Sequence, residues 1–385
     1  MTKNIAFFIR HFTERGTEVS TFNYAFYNQK ILGNKSLIIT YNKEINISNK
    51  EFINTSREIF EKEFKIIDVK DIKELRTIIK KEKITHAYIQ SHGFNRDFYE
   101  LDKKEIWGEC QTIYHYVFGP MARQGSDIRC VIGEDLNKKY FKKIPVLPYI
   151  VNRHKSFGNL RENLNIKKDT LVVGRHGGYN TFDINFVKKA IEKTLNIRKD
   201  IIFLFLNTKV FLKHERIIYL PQTTSLVSKS QFIDSCDYML HGRKHGETFG
   251  LAVAEFSAAN KQIISYALSK DKEHLRILKD EAIRYKNEQD LIKILLNLKK
   301  DNIKNKLFNC YKQYEPEFVM RKFDEICLTK KLKTQINYSE LIRDLPWEIF
   351  IVFDNIKLYI VKKTNHILPK NLKKLIKAII SKFLN

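Results

Sequence analysis

Apolar clusters alternate with amphipathic stretches along this chain, and the alternation runs through two rounds. In the first round, the short apolar runs with the length of buried strands are Ile5–Ile9, Ser36–Thr40, His86–Gln90, Thr112–Tyr116, Arg129–Ile132 and Val146–Tyr149. Between them, apolar residues at helical spacing predict helices at about Thr17–Lys30 and Ile72–Lys81. Strands separated by helices favour a parallel sheet that is covered by helices on both faces.

The second round repeats this pattern from Thr170 onward. Its predicted strands are Thr170–Gly174, Ile201–Leu206, Ile217–Tyr219, Tyr238–His241 and Gln262–Ser265. The helices predicted among them are Ile184–Leu195, Val227–Asp234 and Phe249–Ala259. Two such rounds in one chain predict an α/β protein with two doubly wound, Rossmann-like domains.

A polar segment between the two rounds sets the expected domain boundaries. We expect residues 1–150 to form the first domain, 151–168 to be a linker and 169–330 to form the second domain. Beyond about Lys272 the sequence is mainly helical and charged, and Pro316 marks a break between two helices. Residues 331–385 are expected to be a helical C-terminal extension.

The end of the chain, residues 369–385, is a lysine-rich amphipathic stretch. Its apolar side chains recur at helical spacing: Leu372, Leu375, Ile376, Ile379, Ile380 and Phe383. Such a helix either lies on an anionic membrane surface, where it would bring the protein to a lipid-linked partner, or packs its apolar face on the protein itself. The sequence leaves both alternatives open.

The composition argues against a membrane-spanning or secreted protein. The chain has 385 residues, of which 43% are hydrophobic, and no apolar run approaches the roughly 20 residues of a membrane-spanning helix. The apolar run at Ile5–Ile9 is too short for a signal peptide and no small-residue cleavage site follows it, so we expect a cytoplasmic protein. Five scattered cysteines without C-x-x-C spacing are expected to be reduced and buried.

The formal charge of +25 is compatible with nucleic acid, anionic lipid or acidic substrates. However, the basic residues are spread along the chain and form no basic patch with interleaved aromatics, so we expect no nucleic-acid partner. His241, His245 and Cys236 fit no common zinc spacing, and no metal or other cofactor is expected.

The segment His241–Asn260 (HGRKHGETFGLAVAEFSAAN) carries the candidate chemistry. It follows a predicted strand, and Gly246 and Gly250 permit a tight turn where backbone can approach a ligand. A helix is predicted to begin near Phe249, and its free N–H groups and positive dipole end can bind a diphosphate.

Two glutamates bracket the beginning of that helix. Glu247 lies just before it and Glu255 about two turns into it, and the helical part of this spacing is on the order of 10 Å. One carboxylate can bind hydroxyls of a sugar and the other those of a ribose. The alternative is a pair of solvated surface charges, but Glu255 lies among apolar residues and would need a partner there.

With Phe249–Leu251 between the glutamates and the strand-like Gln262–Ser265 behind them, the segment resembles the retaining GT-B glycosyltransferases of the "glycosyl transferases group 1" (family four) type. Residues 232–240 also resemble the elements that precede this motif, and the order of elements extends the resemblance over about 5–328. The resemblance implies a GT-B fold with two domains facing a cleft, a nucleotide-sugar donor, retention of configuration and no need for metal.

The resemblance also implies roles for individual residues. Glu255 would bind the ribose and Glu247 the transferred sugar. The helix start, at Thr248, Phe249, Gly250 and Leu251, would line the donor site.

A second stretch that resembles the family is Val172–Gly178 (VVGRHGG). The family has an arginine there, here Arg175, which helps to neutralise the donor diphosphate. A lysine normally follows within a few residues, but this chain has none until Lys188 and so departs from the family's pattern for binding the diphosphate. Arg243 or Lys244 can supply the missing charge, and a guanidinium can pair with two phosphate oxygens.

In the first domain, Gly16 and Thr17 lie in a stretch (RGTEV) that resembles the first loop of the family, which faces the donor across the cleft. His115 and His92 end strand-like segments, where ligands bind in open α/β sheets, and His115 is our candidate for a sugar contact.

Together these features predict a glycosyltransferase that uses a nucleotide-sugar and a glycan, lipid-linked or other acceptor. The catalytic candidates are Glu247, Arg175 and Arg243. A non-catalytic GT-B-like nucleotide-binding protein and a basic nucleic-acid-binding protein remain as alternatives.

Overall fold

The structure is a computed structural model that describes residues 2–13, 16–41, 56–91, 101, 104–118, 127–141, 144–152, 158–223, 225–300 and 307–329. They belong to one compact unit, which consists of Met1–Pro120 and Gly125–Lys333. His92 and the predicted extension at 331–385 lie outside the described residues. Within those ranges, no helix is long and apolar enough to cross a membrane.

The first domain is built on a six-stranded parallel sheet with the strand order β3-β2-β1-β4-β5-β6. Its strands are β1 (Asn4–Ile9), β2 (Lys35–Tyr41), β3 (Lys65–Val69), β4 (His86–Ser91), β5 (Gln111–Tyr116) and β6 (Ile128–Val131). Its helices are α1 (Gly16–Lys30), α2 (Arg57–Glu63), α3 (Leu75–Lys81), α4 (Lys104–Trp107) and α5 (Glu134–Leu136). Alternate residues of β1 enter two different apolar cores, because helices cover both faces of the sheet.

The second domain repeats this architecture, with the strand order β14-β12-β10-β7-β8-β9. The strands of its large sheet are β7 (Leu171–Arg175), β8 (Ile201–Leu206), β9 (Ile217–Leu220), β10 (Tyr238–His241), β12 (Gln262–Tyr266) and β14 (Ile283–Tyr285). The short strands β11 (Gly246–Glu247) and β13 (Asp271–Lys272) pair separately. Its helices are α6 (Asn185–Ile197), α7 (Leu226–Ser235), α8 (Leu251–Ala258), α9 (Glu273–Leu278) and α10 (Glu288–Asn297).

These two parallel sheets confirm the predicted α/β class with two doubly wound halves. Both sheets follow the same path: each begins near its middle, builds outward to one edge, and then returns to build the other edge. Ligands in such sheets bind beyond the carboxyl ends of the strands where the order reverses. In the second domain that position lies between β7 and β10.

The structure differs from the sequence prediction mainly at the sheet edges. The strands β3 and β14 were not predicted, because β3 is only partly buried and β14 has three residues, so neither has a long apolar run. The predicted strand Val146–Tyr149 forms a single bridge, between Val146 and Val131. Helix α8 begins at Leu251 and not at Phe249.

The last described α-helix, α11 (Pro316–Phe323), returns to the first domain, although we predicted its residues in the second. Pro316 is its first residue, where a missing N–H has no cost. The ring of Phe323 lies 6.4 Å from that of Phe7, 5.3 Å from that of Tyr24 and 5.8 Å from that of Tyr88. The chain therefore crosses between the domains more than once.

Candidate active site

Two glycines shape the turn that leads into α8. Gly246 has φ of 76°, and a Cβ there would lie 2.0 Å from the backbone oxygen of Asp271 on the paired strand β13. Gly250 has φ of 87°, and a Cβ there would lie 3.1 Å from Cβ of Glu247. Both positions therefore require glycine, and the turn places Glu247 against the first turn of α8.

The carboxylate of Glu247 is held by two basic side chains. Arg243 donates from Nη1 to Oε2 at 2.9 Å, and His241 donates from Nε2 to Oε1 at 3.3 Å. The other ring nitrogen of His241 lies 3.1 Å from the hydroxyl of Ser265, which fixes the orientation of the ring. Burial raises the pKa of Glu247, but the bond from His241 and the charge of Arg243 outweigh it and bring the pKa to about 2. Glu247 is ionised at neutral pH.

The carboxylate of Glu255 is also held on both oxygens. Nε2 of His176 lies 2.9 Å from Oε2, and the ammonium of Lys229 on α7 contacts Oε1. Burial raises the pKa of Glu255, but the charge of Lys229 and the bond from His176 bring it to about 2. The sequence showed that this buried carboxylate needs a partner, and the structure supplies two.

Arg175 ends β7 and is buried, with 4% of its surface exposed. Its guanidinium donates to the backbone oxygens of Asn207 and Gly178 and to the hydroxyls of Thr208 and Thr181. These acceptors are uncharged, and the negative charges that act on Arg175 are those of Glu247 and Asp183. Burial, the largest influence, lowers the pKa of Arg175 to about 10, which still leaves it protonated at neutral pH.

The remaining candidates around α8 have different environments. The amide of Lys244 donates to Oδ1 of Asp183 at 2.7 Å, while its side chain is exposed. Thr248 is buried. The ring of Phe249 is buried edge-on against aromatic rings, including Tyr149 at 5.6 Å, so it packs the base of the site and only its backbone is available to a ligand. Leu251 begins the helix and is partly exposed.

The first domain approaches α8 at two glycines. A Cβ on Gly16, the first residue of α1, would lie 3.5 Å from Cδ1 of Leu251. A Cβ on Gly133 would lie 2.9 Å from the backbone oxygen of Thr248. Next to Gly16, the hydroxyl of Thr17 donates to Glu18 at 2.6 Å. The beginnings of α1 and α8 therefore lie close to each other, and contact of Gly16 and Thr17 with a donor stays a prediction.

His115 lies deeper than we expected for a sugar contact. It is fully buried on β5, and its Nδ1 is 2.6 Å from the hydroxyl of Tyr88. Burial lowers its pKa to about 3, so the ring is neutral. Its ring packs edge-on against Tyr149, which in turn contacts Phe249. His115 supports the site from behind Tyr149, and direct contact with a donor stays a prediction.

The sequence analysis did not identify three residues that contact the glutamates. These are His241, which contacts Glu247, and His176 and Lys229, which contact Glu255. His176 directly follows Arg175, and this position could have marked it as a site residue. Nothing in the sequence around Lys229 distinguishes it from other lysines. The described residues contain no group of three or more His, Cys, Asp or Glu side chains placed to hold a metal ion.

Two doubly wound domains that meet at the beginnings of α1 and α8 have the arrangement of the GT-B fold. A glycosyltransferase from Rickettsia africae ESF-5 has a TM-score of 0.61 to this chain at 12% identity, over 86% of this chain and 100% of its own. The HepE protein from Anabaena, in complex with UDP and glucose, has a TM-score of 0.62 at 9% identity, over 84% of this chain and 98% of its own. A putative UDP-N-acetylglucosamine 2-epimerase from Listeria monocytogenes has a TM-score of 0.53 at 13% identity, over 86% of this chain and 98% of its own.

No protein-family model matches the chain, and the search of curated sequences gave no relative. At the identities of the structural matches, the similarity establishes the fold, which is shared by enzymes that transfer sugars and by an enzyme described as an epimerase. The function therefore has to be argued from the site.

Proposed function

We propose that this protein is a glycosyltransferase that takes a sugar from a nucleotide-sugar donor. The observation that carries the proposal is the grouping of two ionised glutamates with basic side chains at the start of α8, where Gly16 approaches Leu251. Ionised carboxylates accept hydrogen bonds from sugar and ribose hydroxyls, and a helix start binds phosphate. The site therefore fits a ligand with hydroxyls at both ends and a diphosphate between them.

The charges of the site support this ligand. Arg175, Arg243, Lys229 and the exposed Lys244 provide four positive charges, against three negative charges on Glu247, Glu255 and Asp183. The surplus, together with the positive end of α8, favours a dianionic diphosphate. It also favours the negative charge that grows on the nucleoside diphosphate as it leaves, and this differential stabilisation is the main catalytic contribution that we assign to the protein. In this proposal Glu247 binds the transferred sugar.

The finer parts of the proposal rest on the resemblance of the segment from Glu247 to Glu255 to the retaining family. It supports transfer with retention, and it supports neutralisation of the diphosphate by side chains and α8 without a metal. The acceptor in this proposal is a glycan or a lipid-linked molecule. The basic stretch at 369–385 supports a peripheral position at the cytoplasmic face of a membrane; sedimentation of the protein with anionic vesicles, equal with and without these residues, would exclude that part.

The experiment that tests the proposal has two stages. Thermal shift with UDP, GDP, ADP and their common sugars identifies the donor, because a ligand that binds the folded state raises the melting temperature. Release of nucleoside diphosphate from that donor is then measured for the wild type and for Glu247→Gln. The control is Glu61→Gln, since Glu61 also pairs with an arginine four residues away, but on the surface of the first domain.

We expect Glu247→Gln to fold, as judged by circular dichroism, and to lose at least about 100-fold in turnover, the magnitude typical of removing one group that stabilises a transition state. Glu61→Gln should retain wild-type turnover. Full activity of Glu247→Gln would refute the site. Nucleotide binding without turnover would favour a non-catalytic protein, inversion of the second carbon of the sugar would favour an epimerase, and salt-dependent DNA binding without nucleotide binding would favour the nucleic-acid alternative.

A further inference from the structure

The ion pair between Lys229 and Glu255 raises a question for the proposed function, on which this inference rests. Lys229 lies on α7 and Glu255 on α8, and the two side chains are 19% and 15% exposed. Both line the same small cavity, together with Asn152 and Ser230. The pair is therefore partly accessible to solvent at this cavity.

Glu255 has no carboxylate oxygen without a partner. Oε1 contacts Lys229, and Oε2 lies 2.9 Å from Nε2 of His176. The ring of His176 is fixed by packing, because it lies 5.6 Å from the ring of Phe256 in a stacked arrangement and 6.2 Å from that of Phe232. The long side chain of Lys229 comes from a neighbouring helix, and among the described residues its ion pair is with Glu255. If ribose hydroxyls bind the carboxylate of Glu255, Lys229 is the partner that they displace.

Two other cations of the site already have partners, whereas the side chain of Lys244 is exposed. Both terminal nitrogens of Arg175 donate to uncharged oxygens around the 176–181 loop and at 207–208, which fixes the guanidinium. Arg243 is bound to Glu247. The ammonium of Lys229 is the charge that donor binding would release, and leaving it unpaired in a partly buried site would be unfavourable.

We propose that Lys229 is a donor-binding residue that exchanges Glu255 for the diphosphate when the nucleotide binds. In the empty site the lysine neutralises Glu255. When the nucleotide is bound, the ribose hydroxyls donate hydrogen bonds to the carboxylate of Glu255, and the ammonium of Lys229 pairs with phosphate oxygens. The exchange keeps every charge paired in both states, and it supplies the second cation that is absent from the residues directly following Arg175.

The test compares the dissociation constants of a nucleoside, its monophosphate and its diphosphate by isothermal titration calorimetry, with the base that the wild type prefers. The variants are Lys229→Met and Lys229→Gln, of which the second keeps a hydrogen-bond donor for Glu255 and loses the charge. The control is Lys193→Met, because Lys193 also pairs with a glutamate at 2.6 Å but does so on α6, with 59% of its side chain exposed.

We expect both Lys229 variants to bind the diphosphate about 10- to 100-fold more weakly, as for the loss of one charged hydrogen-bonding contact. The nucleoside should bind unchanged or more tightly, since Glu255 no longer has to release a lysine. The control should match the wild type throughout. An equal loss for nucleoside and diphosphate, or no loss for either, would overturn the inference and leave the proposed function intact. Failure of the wild-type protein to bind any nucleotide would overturn both.

Discussion

Gly246 provides a sharp test of how the backbone positions Glu247. At φ of 76° an alanine is strained, and its Cβ would lie 2.0 Å from the backbone oxygen of Asp271 and 2.6 Å from Cβ of Ser269. Neither contact can be relieved by rotating a side chain, because one atom is backbone and the other is a Cβ. Gly246→Ala must therefore separate β11 from β13 and move the adjacent Glu247.

The loss of stability in Gly246→Ala can be estimated by comparison with a second glycine that has a similar positive φ but would have no atom near an added Cβ. Gly33 has φ of 66°, and a Cβ there would meet nothing within 4 Å. The left-handed conformation costs an alanine about 1–2 kcal/mol. The lower entropy of the unfolded chain offsets about 0.4–1 kcal/mol of this. Gly33→Ala should therefore cost about 1 kcal/mol. Overpacking adds about 1–3 kcal/mol at Gly246, for a total of about 2–4 kcal/mol.

Urea unfolding of both variants, followed by circular dichroism, measures this difference through the transition midpoints. Binding of the preferred nucleotide-sugar should weaken in Gly246→Ala and remain at the wild-type level in Gly33→Ala. Equal midpoints for the two variants would show that β11 adjusts without strain, and unchanged binding in Gly246→Ala would refute the link between this turn and Glu247.

Two further predictions concern charged groups. The pKa of Glu247 is about 2 in the folded protein against an ordinary value of 4.5, so its ionised form stabilises the fold above about pH 4.5, and this contribution is lost as the pH falls toward 2. The stability advantage of the wild type over Glu247→Gln in urea should therefore be constant from pH 7 to 5 and shrink by pH 3; a constant advantage would contradict the low pKa. Arg161 pairs with Asp237 at 2.7 Å, and both side chains are largely buried, so Arg161→Met should lower the free energy of unfolding by about 2–4 kcal/mol. Arg57→Met, which removes two ion pairs at the surface, with Glu61 and Asp68, should cost about 1 kcal/mol or less, and similar losses in the two variants would argue against the buried pair.

The hydrophobic pattern was sufficient to predict the class of fold and most of its central strands. A central strand such as β1 is buried on both faces, so it needs a continuous apolar run, and such a run is visible in the sequence. The edge strands β3 and β14 bury less and are shorter, and the pattern missed them. Local signals also located the turn at Gly246 and Gly250, because backbone strain requires glycine at the positions themselves.

The partners of Glu255 could not be predicted in the same way, whereas Arg243 and His241 lie close to Glu247 in the sequence. His176 follows β7, His241 ends β10, and Lys229 lies on α7, at positions that are far apart along the chain. They meet because the parallel sheet brings the carboxyl ends of β7 and β10 to one edge, next to the beginning of α8. The return of α11 to the first domain likewise depends on which apolar surface remains uncovered once both sheets have formed.

The sequence alone thus determined where the chain forms strands, helices and the glycine turn, since those depend on neighbouring residues and on conformations that only certain side chains permit. The tertiary structure decided which basic groups hold Glu247 and Glu255, and so which charges are available to a ligand. Ion pairs form between side chains that are close in space, and that closeness is set by strand order and domain contact, which no local pattern of residues specifies.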